Sequence, residues 1–482
     1  MIPLSSWTGL YRPGSTLYFF VFMSFGCISP YLPVIWRSKG LSDNEIGVLG
    51  AVRQLSILLG GPLVCAFVDK HSLQQKALYG SILLFAITRP SVIIAGGFFM
   101  LAAVEASACV SESPIVNLID ASVSHSVGSS GYGKQRLWGA AGNGLSTLAS
   151  GFMYDHTSGG YEGVVVMFVA VSAVALVAAF GVRVETDGSP AGRHDYEELL
   201  SRLRVPSFGT ARFVSHDDPP VGGEAIPGKI GRGSQNFNKL DLDIGGKQQR
   251  SDRDEQQGKE LGAVEHGVAA TVCVMFSTAQ NISFFSAVAL SGMSKGVIDT
   301  FLFIWLSDLG SSHVLLGLAG LTMCVAELPF FYLSGPLIRK IGPRNVVALA
   351  QIGYLLRFVY YSVLQDPWWV LPAEVLHGLT FAAMWAATTD YAQAIAPGHL
   401  RSTMQATVSG LKQGLGYGVG AVLGGIVYSS LGPRMCFRIS AALPCLSLAL
   451  LVILPCIRLG RGRRSDETGE KGLECWESKC VH

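Results

Sequence analysis

Charged residues are scarce in this chain. Aspartate, glutamate, lysine and arginine make up 15% of its 482 residues, whereas about 25% is usual in a soluble globular protein. The formal net charge is only +2, and no segment is basic enough to follow a nucleic-acid backbone, so we expect no nucleic-acid partner. This composition argues against a soluble protein and favours one that lies in a lipid bilayer.

Motifs of intramembrane hydrolysis are missing as well. The sequence contains neither HExxH nor GxGD, and its one GxSG match, Gly128 to Gly131, lies in a polar loop. The ten cysteines are mostly single and lie in apolar stretches, where cysteine usually acts as a small buried hydrophobic residue. We therefore predict a protein that is not an enzyme and that holds neither a metal nor a cofactor.

Long hydrophobic runs, in contrast, fill most of the chain. About 20 apolar residues suffice to cross the hydrocarbon core as a helix, and runs this long without two-residue alternation are helices rather than barrel strands. The first span, from residue 15, is too long for a signal-peptide core. We predict twelve transmembrane helices, at 15–36, 44–67, 76–93, 94–122, 134–154, 162–183, 281–307, 313–337, 344–364, 367–396, 402–429 and 435–457.

One polar segment divides the spans into two sets of six. Residues 184–264 are rich in Gly, Asp, Arg and Gln, which is typical of a disordered linker. The apolar piece that follows, 267–278, is too short to cross and is interpreted as an interfacial helix. The predicted domains are an N-terminal bundle (1–183), the linker (184–264), a C-terminal bundle that begins with the interfacial helix (265–458), and a tail (459–482).

Lysine and arginine set the orientation. They are about three times as frequent in the short segments on the side of the chain ends as on the opposite side, and such residues are enriched in cytoplasmic loops. We predict that both termini and the linker are cytoplasmic.

The two halves also repeat each other. The segment IWRSKGLSDNEIGVLG (35–50) connects the first two spans, and IWLSDLGSSHVLLGLAG (304–320) connects the seventh and eighth. Glycines on the fifth and eleventh spans have the small-xxx-small spacing of close helix contacts. Two parallel copies of six helices are the architecture of transporters that rock two bundles about a site at the membrane midplane.

Four segments carry a resemblance to a known family. They resemble the lactose-permease-like and nucleoside–proton-symporter-like branch of the major facilitator superfamily, which includes the major facilitator domain-containing protein six relatives. The resemblance covers both halves but not the linker or the tail, and it implies two pseudo-symmetric six-helix bundles; we expect a monomer. The segments are YGKQRLWGAAG (132–142), FLFIWLSDLG (301–310), ELPFFYLSG (327–335) and PWWVLPAEVLHGLTFAAMWAATTDYA (367–392).

Four ionisable residues in the C-terminal spans are the leading site candidates: Glu327, Arg357, Glu374 and His377. Charge inside a membrane is expensive, so such residues suggest function. Their placement on the eighth, ninth and tenth spans is similar to the proton site of lactose permease, with Glu374 and His377 in reversed order. Burial disfavours a charged carboxyl group and a nearby guanidinium favours it, so the set can couple protons. The alternative is a static ion pair with a satisfied histidine.

Other buried polar residues are candidates for lining a substrate cavity. Lys295 and Asp299 are four residues apart and can pair on one helix face, with Lys412 as a competing partner for Asp299. In the N-terminal half, a buried Arg–Glu pair is the alternative to substrate contact, and Trp385 could stack on a solute or simply pack. The candidates are Arg53, Glu105, Glu112, Lys295, Asp299, Trp385 and Lys412.

Charged residues at the predicted cytoplasmic helix ends are candidates for a gate. We interpret Asp120 with Arg136, and Asp390 with Arg401, as salt bridges that bias one gate state, since such pairs contribute about 0–1 kcal/mol. The alternative is ordinary solvated charge. The candidates are Asp69, Lys70, Asp120, Arg136, Arg339, Lys340, Asp390 and Arg401.

Together these patterns predict a secondary transporter, a proton symporter for a small polar solute such as a sugar, a nucleoside or an organic ion. Two alternatives stay open. One is a uniporter whose charge pairs are structural, and the other is a receptor or scaffold built on a transporter fold.

Overall fold

The structure, a computed structural model, describes residues 13–71, 73–157, 160–182, 271–396 and 400–459. Within these ranges every regular element is a helix. Residues 271–276, inside the predicted interfacial segment, are helical. The predicted linker and nearly all of the tail lie outside the described residues, so the proposed division into domains stays a prediction.

The described first half contributes six helices, and all but the fifth are candidate membrane spans by length and hydropathy. They are α1 (Gly14–Ser38), α2 (Asp43–Lys70), α3 (Gln74–Ile94), α4 (Phe98–Asp120), α5 (135–156) and α6 (Tyr161–Phe180). Helix α1 is broken by one 3-10 turn at Ser29–Tyr31, where Pro30 supplies no backbone N–H for the ladder.

The boundary between the third and fourth spans lies within a few residues of its predicted place. We placed it between residues 93 and 94, and α3 continues through a short turn to Ile94, while the next helix begins at Phe98. Proline is tolerated in the first turn of a helix, so Pro90 does not stop the span there. Arg89 is consequently a fully buried residue inside α3.

Helices α4 and α5 belong to one continuous helical run, Phe98–His156. Arg136 Nη1 nevertheless lies 2.6 Å from Asp120 Oδ2, whereas 16 residues of straight helix would span about 24 Å. Val123 and Gln135 also both face Gly14 of α1. The run therefore reverses direction between residues 123 and 135, and it supplies the fourth and fifth predicted spans.

The second half contributes six more helices, which confirms the prediction of an all-α membrane protein with two six-helix halves. They are α7 (Ala279–Asp308), α8 (His313–Ile341), α9 (Pro343–Val363), α10 (Pro367–Ile395), α11 (Thr403–Leu431) and α12 (Pro433–Leu454). Two of these contain a π-helical segment, Gly378–Ala383 in α10 and Gly410–Gly416 in α11. Such segments are frequent at functional sites.

The glycines of α11 make the close helix contacts that their spacing predicted, and they do so with two neighbouring helices. Gly420 faces the backbone of α7, where a Cβ atom would overlap the carbonyl oxygen of Met293, and Gly425 faces the backbone of α2 at Asp43. Small residues let helices approach closely where lipid provides no hydrophobic driving force. Helix α11 is thereby held between α2 of one half and α7 of the other.

The two halves also contact each other at the membrane side remote from the chain ends. Arg37 of α1 forms an ion pair with Asp308 of α7 at 2.9 Å. Asp155 of α5 accepts hydrogen bonds from the backbone N–H groups of His313 and Val314 at 3.3 and 2.9 Å, which caps the first turn of α8. These contacts join the two halves at these helix ends.

Candidate functional site

Arg357 is the centre of a buried cluster in the second half. Its side chain is 1% exposed, and Nη2 donates to Glu374 Oε2 at 2.8 Å. Nε donates to the Tyr361 hydroxyl at 2.8 Å, and Nη1 donates to Thr380 Oγ1 at 3.1 Å. Tyr361 also donates to the second oxygen of Glu374. The Glu374 carboxylate is thus neutralised and bonded at both oxygens.

His377 links this pair to the fourth predicted residue. Nη1 of Arg357 lies 3.3 Å from His377 Nδ1, and His377 Nε2 lies 3.2 Å from Glu327 Oε1. A guanidinium group can only donate, so Nδ1 accepts, Nε2 carries the hydrogen, and Glu327 accepts it. The structure therefore brings all four residues into one array across α8, α9 and α10.

Local packing explains why the array forms. A glycine follows His377, and a Cβ atom at Gly378 would overlap the carbonyl oxygen of Ala326 on α8. Helix α10 can approach α8 only at such a residue, and this approach brings His377 within reach of Glu327. Glu374 is fully buried, whereas the Glu327 side chain keeps 16% exposure.

Lys295 and Asp299 form the predicted local ion pair on α7, and both side chains stay partly exposed. Lys412 does not join them: its side chain is fully buried, and Nζ has no hydrogen-bond partner among the described residues. It lies in the π-helical segment of α11, with Nζ 5.2 Å from the ring centre of Trp385.

The first half holds a second buried cluster, and its central residue was missed by the sequence analysis. Arg89 Nη1 donates to Glu105 at 2.6 Å, and Nη2 donates to Glu112 at 3.0 Å. Arg53 reaches only Glu112, at 3.4 Å. The signal was present, because Arg89 is a charged residue inside the third predicted span, 76–93.

The candidate gate residues have mixed surroundings. Asp120 pairs with Arg136 at 2.6 Å and accepts a hydrogen bond from Tyr18 at 2.5 Å. Asp390 and Arg401 are exposed and not paired with each other, so this conformation lacks the second predicted bridge. Arg339 and Lys340 are exposed at the end of α8, and the side chains of Asp69 and Lys70 lie outside the described part of the chain.

In the part of the chain that the structure describes, no group of three or more His, Cys, Asp or Glu residues could hold a metal. The second half instead places the carboxyl group of Glu327 beside the imidazole of His377, and both can bind a proton.

Comparison with curated proteins gives relatives of two kinds. Maltose permease of Geobacillus stearothermophilus is 23% identical over 411 residues, which cover 85% of each chain. The major facilitator superfamily domain-containing protein 6-like of Danio rerio is 27% identical over 168 residues, which cover 34% of this chain and 31% of the relative.

Solved structures share the fold. The nucleoside transporter NupG superposes with a TM-score of 0.65 at 13% identity, covering 92% of this chain and 98% of that one. A peptide transporter POT has a TM-score of 0.61 at 14% identity, with coverage of 94% and 95%. The model of the MFS_1 like family matches residues 11–439. The chain therefore belongs to the MFS_1 like family, and it shares the fold of these transporters.

Proposed function

We propose that this protein is a proton-coupled symporter that moves a small polar solute by alternating access. The observation that carries the proposal is the continuous array from Arg357 through His377 to Glu327, with Glu374 bonded to the same guanidinium. Ionisable residues at this depth in a membrane are expensive, and they usually mark proton or substrate routes.

Glu327 is the proton carrier in this scheme. The two carboxylates of the array differ, because Glu374 is neutralised by Arg357 whereas the only ion-pair partner of Glu327 among the described residues is His377. Burial favours the protonated form of a carboxyl group, and the cations nearest Glu327, Lys295 and Arg136, do not form an ion pair with it within 4.0 Å. Glu327 is also the more exposed of the two, so a proton from the cavity reaches it first.

Arg357 controls whether His377 can take up the proton. While Nη1 of Arg357 faces Nδ1 of His377, that nitrogen must stay an acceptor, and the imidazole cannot become doubly protonated. A shift of Arg357 away from His377 would free Nδ1 and let the imidazole carry a positive charge. Movement of this one guanidinium therefore links proton transfer to rearrangement of α9 and α10.

Alternating access requires that the two halves separate on one side while they close on the other. Contacts such as Arg37 with Asp308 close the side remote from the chain ends. Since the Lys and Arg bias places the chain ends in the cytoplasm, the described conformation corresponds to a state closed toward the outside. Opening it would require the loss of this ion pair and of the Asp155 cap on α8.

The proposal is tested by a proton-flux assay on the purified protein in liposomes that contain a pH-sensitive dye. Sugars, nucleosides, peptides and small organic ions are added in turn, and internal acidification that accompanies uptake of one solute is expected. Uptake without acidification would indicate a uniporter with structural charge pairs. Failure of both uptake and tracer exchange for every solute would favour a receptor or scaffold.

A further inference from the structure

The charges of the C-terminal cavity do not all form pairs. Arg357 is neutralised by Glu374, and Lys295 is neutralised by Asp299. Two groups are left over: Glu327, whose partner is the neutral imidazole of His377, and Lys412. No ion pair within 4.0 Å joins these two in the described structure, so this region has one lysine and one carboxyl group that are each without a paired countercharge. The opposite charges that act on them from a greater distance are Lys295 and Arg136 for Glu327, and Asp299 for Lys412.

Burial of the Lys412 ammonium group costs free energy unless a hydrogen-bond acceptor or an anion binds it. Its side chain is fully buried, and its ammonium group has no hydrogen-bond acceptor among the described residues. A buried charged group without a hydrogen-bonded partner carries a large desolvation cost. Contacts with the rings of Phe381 and Trp385, whose centres lie 5.6 and 5.2 Å from Nζ, offset only part of it.

A second lysine lies against the same ring. Lys295 Nζ lies 5.4 Å from the centre of Phe381 and 5.8 Å from the centre of Tyr417. The close approach of α7 and α11 enforces this, since a Cβ atom at Gly292 would overlap the carbonyl oxygen of Lys412. Two ammonium groups around one aromatic ring repel each other, and an anion between them would relieve this repulsion.

We propose that the solute is an organic anion with one carboxylate, which binds to Lys412 and Lys295 while its apolar body lies against Phe381 and Trp385. The inference rests on the proposed transport function and names its substrate class. One ammonium group without a countercharge matches one negative charge, and the aromatic rings provide an apolar wall beside it.

The same charge balance couples the anion to the proton. When Glu327 is ionised, its charge opposes entry of an anion into the cavity, and protonation removes that opposition. Anion and proton therefore favour each other's binding reciprocally, and one of each crosses together without net charge. The other charged or titratable groups around Glu327 are His377 of α10, Lys295 and Asp299 of α7, and Arg136 of α5.

The test uses purified full-length protein in liposomes and matched pairs of probes. Phenylacetate is compared with phenylacetamide, which has the same shape without the charge, and phenyl phosphate, maltose and uridine are added as further probes. We expect phenylacetate to accumulate with an inward proton gradient faster than in protein-free liposomes, which measure passive diffusion of the protonated acid. Other monocarboxylates should compete with this protein-dependent uptake, and it should stay the same when valinomycin and potassium change the membrane potential.

The variant Lys412→Gln is expected to weaken phenylacetate binding about tenfold or more, and Lys295→Gln is expected to weaken it less, because Asp299 shares that lysine. Lys76→Gln, at an exposed lysine on α3, is the control and keeps wild-type binding. The elution profile of each purified variant checks that it folds.

The outcomes separate the two proposals. Proton-coupled uptake of maltose or uridine without response to any carboxylate would overturn the anion site and leave symport standing. Binding of phenylacetate that depends on Lys412, but without proton movement, would support the anion site and overturn symport. A Lys412→Gln protein that folds and binds carboxylates as the wild type does would refute this inference.

Discussion

The two halves of this protein each bury a cluster of arginine and carboxylate groups, and the clusters differ in completeness. In the first half, Arg89 bonds both Glu105 and Glu112, and Arg53 adds a second cation to Glu112. Two cations face two anions, and each carboxylate has a guanidinium. In the second half, Arg357 neutralises Glu374, but among the described residues the one ion-pair partner of Glu327 within 4.0 Å is the imidazole of His377.

We propose that this difference separates a structural cluster from one that takes part in transport. A complete buried network is held in place, because removal of any member leaves an uncompensated charge. An incomplete network has a group whose charge can change, since protonation of a lone carboxyl group relieves a cost rather than creating one. Four variants test this distinction, and their expected effects decrease in the order given.

The largest effect is expected from Glu327→Gln, which removes the proton carrier but keeps the size of the side chain. Uphill accumulation of solute should be lost completely, while counterflow exchange continues, because exchange needs no net proton movement. Glu105→Gln in the first half is the matched control. The fraction of this variant that folds should accumulate solute against its gradient, as the wild type does. Equal loss of accumulation and exchange in Glu327→Gln would assign that residue to binding or structure instead.

Arg89→Met should cost about 3–5 kcal/mol of stability, because it leaves Glu105 and Glu112 buried with too little positive charge. Chemical or thermal unfolding of the purified protein in detergent measures this loss. Addition of Glu105→Gln in the same chain should restore part of the stability. An unchanged unfolding midpoint in Arg89→Met would show that the first-half cluster is not a tight network.

A smaller effect is expected from Tyr361→Phe in the second half. The Tyr361 hydroxyl bonds both Arg357 and Glu374, and loss of a buried hydrogen bond to charged groups costs about 1–3 kcal/mol. The ratio of proton uptake to solute uptake should stay unchanged, since Glu327 is untouched. A changed ratio would place Tyr361 in the proton route rather than in the support of Glu374.

The smallest effect is expected from Arg53→Gln. Arg53 lies 3.4 Å from Glu112 and keeps 15% of its side chain exposed, and Glu112 retains Arg89 as its closer partner. The loss of stability should not exceed about 1 kcal/mol, measured by the same unfolding assay. A loss as large as that of Arg89→Met would mean that the two arginines contribute equally, which would contradict the distances.

Much of the second-half site could be predicted from the sequence. Glu374 and His377 are three residues apart and share a helix face, and Glu327 and Arg357 are isolated charges in neighbouring spans. The pairing within the first half was harder. The sequence suggested a buried Arg–Glu pair, and Arg53 does pair with Glu112, but Glu105 binds Arg89. Arg89 lies inside the membrane because the turn at Pro90 continues the helix.

Sequence alone determined the number of spans, their division into two sets of six and the identity of the charges within them. The physical reason is that the bilayer requires about 20 apolar residues for each crossing. A charged residue inside such a run is therefore easy to recognise in the sequence. Tertiary structure alone decided which charges meet. Lipid and helix interfaces are both apolar, so hydrophobicity does not reveal which face of a membrane helix meets its neighbours.

Helix packing therefore brings two carboxylates to Arg89, whereas among the described residues it brings none within hydrogen-bond distance of Lys412 Nζ. The glycines that permit this packing are visible in the sequence, but the partners that they meet are not. Gly292 lets α7 approach the backbone of α11 at Lys412, and Gly378 lets α10 approach the backbone of α8 at Ala326.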